Sequence, residues 1–426
     1  MRAFSHQPIH PTTNTSRTQW FATADNMLKP TPVLFDPEAF CEQGKVMDGW
    51  ESRRRRKAGH DWSVVKLGMP GHVQGLEVDT AWFTGNQVPA VRVLAAEIDE
   101  DDDGWLGPRS PVLGVQGTAA TDEEIEAAAA RVASRRWVEL LPVSPLRPGY
   151  VEDGGSVHRF AVARAAAARR ATHLLVCSHP DGGIARLRAW GVVSRRFDDL
   201  AAAGRVDLLS VANGGRALGC SNAHYGTPRN LLRPGRGTNM GDGWETARNP
   251  RRPRVIVKDA ASGLVHMPHA RDWCVLRLGA VADAIDELTI DTHHFRGNYP
   301  ESVLVEACDA PHATPAELLA GHDAPGGGDG GDGGGSGGGG GLWRELLPRT
   351  RLGPSAEHTF ASDALRGGRV SHVRVTTMPD GGIMRVRAVG RAAAPMPAGD
   401  DGDELPAGDA IGAEAAPAWP PTVETP

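Results

Sequence analysis

One feature limits this chain more than any other: it states the same sequence twice. Asp48-Gly49-Trp50-Glu51-Ser52 returns as Asp242-Gly243-Trp244-Glu245-Thr246, and His60-Asp61-Trp62 returns as Arg271-Asp272-Trp273. Asp79-Thr80 with Gly85-Asn86 returns as Asp291-Thr292 with Gly297-Asn298. Trp137-Val138-Glu139-Leu140-Leu141-Pro142 becomes Trp343-Arg344-Glu345-Leu346-Leu347-Pro348, and Pro180-Asp181-Gly182-Gly183-Ile184 becomes Pro379-Asp380-Gly381-Gly382-Ile383. Matched blocks in one order imply two homologous domains. The repeat is roughly 190 residues, far longer than a solenoid unit, so each copy can bury its own core.

The 426 residues favour two or three domains rather than one core. A net charge of -6 gives no reason to expect a nucleic-acid partner. The Arg53-Arg54-Arg55-Arg56-Lys57 run reads as a solvated loop or as a source of one substrate-binding guanidinium. Five cysteines, an odd number without a CxxC pair, read as reduced thiols in a cytoplasmic protein. No apolar run approaches the ~20 residues of a membrane helix. The polar start lacks the apolar core of a secretory signal.

The expected organisation is a disordered segment at 1–17, a first repeat at 18–197, a second at 198–391 and a disordered acidic tail at 392–426. The second repeat carries a Gly-rich flexible insertion at about 322–341. Residues 250–267 read as a smaller insertion. The second repeat has a lead-in at 206–220 that the first lacks, so the first repeat's opening strand reads as missing or remodelled. Residues 63–68, 73–79, 173–177 and 184–189, with their second-copy counterparts, read as strands. Pro180-Asp181-Gly182-Gly183 between two of them reads as a hairpin turn. A helix is expected over 121–134, with Thr121 as N-cap and Glu124 completing a capping box. Many short strands and few helices give an all-β fold with a β-sandwich in each half.

With these blocks in view, the chain resembles the allantoicase family over residues 20–391, the Gly tract excepted. The strings that carry this are Met47-Asp48-Gly49-Trp50-Glu51-Ser52-Arg53-Arg54, Gly59-His60-Asp61-Trp62 and Asp79-Thr80-Ala81-Trp82-Phe83-Thr84-Gly85-Asn86. Their second-copy counterparts are Asn239-Met240-Gly241-Asp242-Gly243-Trp244-Glu245-Thr246-Ala247-Arg248 and Asp291-Thr292-His293-His294-Phe295-Arg296-Gly297-Asn298. The resemblance implies two tandem jelly-roll domains like galactose-binding modules. It implies hydrolysis of allantoate to (S)-ureidoglycolate and urea in purine degradation, and a homo-oligomer.

Expelling urea breaks a C–N bond, which needs a general acid for the leaving nitrogen and a base for water. A carboxylate can stabilise the iminium character of the transition state, and Arg can grip the substrate's carboxylate. The duplicated polar residues supply the candidates. Glu51, Glu245, Asp79, His60 and His294 are the candidate catalytic groups. Arg54, Arg248, Arg296, Asn86, Asn298 and Thr80 are the candidate substrate-binding groups. Structural readings stand beside these: Asp48-Gly49, Gly85-Asn86 and their counterparts also read as turns, and Trp50, Trp62, Trp244 and Trp273 as core. No turn or cap explains a carboxylate at both Glu51 and Glu245. His60, Asp61, Asp79, His293 and His294 are ligand types that Mn²⁺ accepts, but no HxH or HExxH spacing is present. The rival reading is a non-catalytic tandem jelly-roll protein that binds a sugar or another small ligand.

Overall fold

The computed structural model describes Arg2–Ala3 and residues 13–397, apart from 17, 20, 57, 100–104, 106–117, 120–121, 153, 267–269 and 321–341. The chain divides into two units, 1–194 and 195–421. Each is a jelly-roll β-sandwich, and the two are built alike.

In the first unit the organising element is the strand Asp61–Asp79. Its first half pairs with Thr13–Ser16 and Arg170–His179, and its second half with Val157–Ala161 and Arg186–Val193. Arg170–His179 continues the sheet to Ala90–Ala96, which pairs in turn with Val138–Pro145. Apolar side chains such as Val64, Leu76, Val78, Val91, Val93 and Val176 are fully buried. In the second unit Asp272–Asp291 takes the same place. It pairs with Arg216–Cys220, Glu357–Ala361, Val370–Met378 and Arg385–Pro395. Trp50, Trp244, Phe83 and Phe295 are 0% exposed. Trp62 and Trp273 are also buried, so the four tryptophans expected in the core lie there, while the repeated Trp137 and Trp343 are half-buried.

Several expectations change. The strands expected at 63–68 and 73–79 are one strand, because Gly68, Pro70 and Gly71 sit within a continuous extended run. The expected hairpin at Pro180-Asp181-Gly182-Gly183 does not form. Arg170–His179 and Arg186–Val193 both pair with Asp61–Asp79 and not with each other. Gly183–Ile184 pairs instead with Trp50–Glu51.

The opening strand of the first copy is present rather than missing: Thr13↔Val65 and Ser16↔Ser63 parallel Arg216↔Arg277 and Cys220↔Cys274 in the second. Arg2–Ala3 also pairs with Arg186–Val193. Disorder across 1–17 is thereby corrected for these residues. At the other end Ala392, Ala394 and Pro395 extend a strand against residues 280–282, so the expected tail begins as sheet. The tail beyond Pro397 and the Gly tract lie outside the described residues.

The expected helix is Asp122–Ala133. Its expected cap, Thr121, lies outside the described residues. A capping box does form in the second unit, where Thr314 and Glu317 start the helix Pro315–Leu319.

Candidate active site

Three segments of the first unit are pressed together by glycines. A Cβ on Gly49 would fall 2.6 Å from the Ile184 carbonyl oxygen, and one on Gly183 would fall 2.0 Å from the Phe83 ring. Gly182 has φ +127° and lies against the Asn86-Gln87 backbone. The repeated glycines therefore allow close approach; they do not turn a hairpin. Backbone bonds lock the contact: Gly183 N donates to Asn86 O at 2.8 Å, Val88 N to Gly183 O at 3.1 Å, and Ser52 N to Gly182 O at 3.3 Å. Gly182 N in turn donates to Ser52 Oγ at 3.2 Å.

Glu51 lies in this cradle, 7% exposed. Asn86 Nδ2 donates to its Oε1 at 2.6 Å. Burial pushes the Glu51 carboxyl up to about 7, while the Asn86 hydrogen bond pulls it the other way.

The second unit repeats the arrangement. Asn298 Nδ2 donates to Glu245 Oε1, Gly382 N donates to Asn298 O at 2.8 Å, and Gly381 N donates to Thr246 Oγ1 at 3.1 Å. A Cβ on Gly382 would fall 2.1 Å from the Phe295 ring. Glu245 is only half-buried.

Of the sequence-derived candidates, the tertiary structure thus joins Glu51 with Asn86 and Glu245 with Asn298. The others make different contacts or are exposed. Thr80 is 0% exposed, and its hydroxyl sits 3.0 Å from Arg147 O and 3.2 Å from Ser156 O. That hydroxyl is committed to holding a loop, which removes it from substrate binding. Asp79 Oδ1 accepts Ala81 N at 2.9 Å and caps a turn, as Asp291 does with His293 N at 2.8 Å. Arg54, Arg248 and Arg296 are exposed.

His60 is half-buried and stacked on His179, with ring centroids 4.4 Å apart. Burial, then the neighbouring His179, Arg55 and Arg92, hold it below the usual imidazole value. His294 has φ +69°, as does its counterpart Trp82. Its Nε2 lies 3.0 Å from Gly237 O, which commits the ring to the 235–238 loop.

Asp48 and Asp242 are anchors more than turns. Asp48 accepts Lys29 Nζ at 2.7 Å, Leu34 N at 3.0 Å and Arg186 at 2.5 Å. Asp242 accepts Thr238 N at 2.7 Å and Arg233 at 3.1 Å. The buried arginines were missed in the sequence, although Arg186-x-Arg188 and Arg385-x-Arg387 follow the Pro-Asp-Gly-Gly-Ile block in both copies. Their guanidinium groups bond mostly to backbone carbonyls of the preceding loops. His179 and Arg55 were also missed as neighbours of His60.

Among the described residues no three His, Cys, Asp or Glu side chains gather where they could hold a metal ion. Asp61, one of the proposed Mn²⁺ ligands, lies 3.4 Å from Arg55, and Asp79 caps its turn. These donors do not form a coordination shell for Mn²⁺.

The model of the allantoicase repeat matches residues 12–194 and again 206–393. The chain is 35% identical over 372 residues to a probable allantoicase of Pseudomonas fluorescens strain SBW25, covering 87% of this chain and 90% of that one. It is 35% identical over 374 residues to a probable allantoicase of Pseudomonas syringae pv. syringae strain B728a, covering 88% and 91%. The crystal structure of allantoicase from Saccharomyces cerevisiae is similar, with 30% identity, 89% of each chain covered and a TM-score of 0.51. Two matched repeats spanning nearly all of the described structure make this chain a member of the allantoicase family.

Proposed function

We propose that the protein hydrolyses allantoate to ureidoglycolate and urea, with Glu51 as its principal acid–base group. The observation that carries this is a carboxyl buried at the Glu51 cradle with its pKa raised to about 7, held by Asn86. Near neutrality such a group exists in both protonation states. As the C–N bond breaks and positive charge builds on the central carbon, ionised Glu51 can take a proton from the water whose oxygen bonds to that carbon and pass the proton to the departing ureido nitrogen. The ionised form also stabilises positive charge developing on the carbon. A non-catalytic ligand-binding reading leaves this buried carboxyl unexplained, since burying it unionised serves no packing purpose.

Five unpaired cysteines support a reducing, cytoplasmic setting. The family relationship supports a homo-oligomer. The exposed Arg54 in the first unit, and Arg248 and Arg296 in the second, are proposed to meet the substrate's carboxylate.

Incubating the purified chain with allantoate and measuring urea tests the activity. Release well above the uncatalysed rate is expected, falling by about 10²–10⁴ in Glu51→Gln. No release, with or without added Mn²⁺, overturns the activity. Full turnover in Glu51→Gln and Glu245→Gln alike overturns the site.

A further inference from the structure

The first unit contains a cavity of about 390 Å³ between the helix Asp122–Ala133 and the sheet. Trp62, Leu175, Cys177, Val132 and Trp137 line its apolar body. Arg55 and His60 line one end. The volume lies within the roughly 300–1,000 Å³ of small-molecule sites.

The polar end has unused binding capacity. Arg55 Nε is buried without a hydrogen-bond partner, while its Nη2 donates to Ala58 O at 2.7 Å and its Nη1 lies 3.4 Å from Asp61 Oδ1. His179 Nε2, on the ring stacked against His60, is likewise buried and unpartnered. Arg55 and Arg92 both act on His60, with Arg55 facing Asp61 at 3.4 Å and Arg92 paired to Glu139 at 2.6 Å. Both imidazoles are held below their usual value, chiefly by burial, and so stay neutral near pH 7, with one N–H each to donate.

The second unit does not reproduce this end. Asn249 N donates to Asp380 Oδ2 at 2.9 Å as Arg55 N does to Asp181 Oδ2 at 2.8 Å, which fixes Asn249 as the counterpart of Arg55. His60 is replaced there by Arg271. Against the matching tryptophan, Trp273, the second unit packs Leu218, Leu318 and Trp343. Among the described residues the Arg55–His60 pair at the cavity's end is thus not repeated in the second unit.

We propose that this cavity binds a small, flat carboxylate of aromatic type, with Arg55 gripping the anion and the Trp62 and Trp137 indoles packing on the ring. A cationic head on an apolar, indole-walled body selects both parts of such a ligand. The site also touches the chemistry. Arg55 N bonds to Asp181 in the loop whose Gly183 pairs with Glu51, so an occupied cavity would stiffen the cradle.

Calorimetric titration of the full-length protein with benzoate, benzamide and acetate tests this. Benzoate is expected to saturate one site, while benzamide and acetate each bind about tenfold more weakly or not at all. Arg55→Met should weaken benzoate about tenfold. Ala129→Phe, placed on the partly exposed helix face to fill the cavity, should abolish binding while leaving the circular dichroism spectrum unchanged. Absence of saturable benzoate binding overturns the proposal. Equal affinity for benzamide, or undiminished benzoate binding in both folded variants, does so too.

Discussion

Asn86 donates a 2.6 Å hydrogen bond to Glu51 across a gap of 35 residues, and Asn298 meets Glu245 in the same way in the second repeat. The acid and its amide partner come from different loops, so the pair exists only when Gly182 and Gly183 let those loops touch. The bond stabilises the ionised carboxylate while burial opposes it. Removing the amide should therefore raise the Glu51 pKa further. In Asn86→Ala the acid limb of the pH–kcat/KM profile should move to higher pH, whereas Asn298→Ala should leave that limb in place. A profile unmoved by Asn86→Ala would show that Glu51 is not the group being titrated.

Glu51 also makes a prediction about stability. Its carboxyl goes from 4.5 in the unfolded chain to about 7 in the folded protein. The folded state thus binds the extra proton, and stability falls as pH rises through this window and levels off above it. Across it the loss is about 3 kcal/mol. Glu51→Gln removes the ionisation, so its melting temperature should exceed that of the parent at pH 8 and match it near pH 4. Parallel melting curves at both pH values would contradict the burial argument.

The Gly183–Phe83 contact has no room for a methyl group. Gly183→Ala should destabilise the first unit by about 1–3 kcal/mol, read as a lower thermal midpoint. Adding Phe83→Leu should recover part of that loss by vacating the space the new Cβ enters. A double variant no more stable than Gly183→Ala would mean that backbone conformation, not crowding, sets the cost.

Asp48 compensates a guanidinium that is only 4% exposed on Arg186. Desolvation alone would raise its carboxyl, but bonds from Lys29 and Arg186 outweigh this and hold it below the usual carboxylate value. Asp48→Ala strands a buried charge and should cost about 3–5 kcal/mol in a denaturant titration. Asp242→Ala should cost less, because its partner Arg233 is 21% exposed and can turn to water. Because the Asp48 pKa is lowered, the contribution of this pair is lost as pH falls through the folded-state value. Equal costs for the two substitutions would argue against the asymmetry.

The sequence by itself determined that the protein is doubled, that each half is all-β, that Trp50, Trp62, Trp244 and Trp273 are core and that a glutamate follows one of them in both copies. These follow from identity, period and composition, which are local properties of the chain. It also contained Asn86 and Asn298, but only as residues after a glycine, where a tight turn was the stronger reading. The tertiary structure alone decided which repeated polar groups meet. Thr80 and Asp79 looked like site residues because they recur, yet they recur because each repeat needs the same buried loop closed in the same way. Pro180-Asp181-Gly182-Gly183 carries a hairpin's composition, but its glycines answer to Phe83 and Asn86, residues about a hundred positions earlier in the chain. Which of two local readings wins is set by long-range contact, because burial fixes both the space a Cβ can occupy and the pKa a carboxyl adopts.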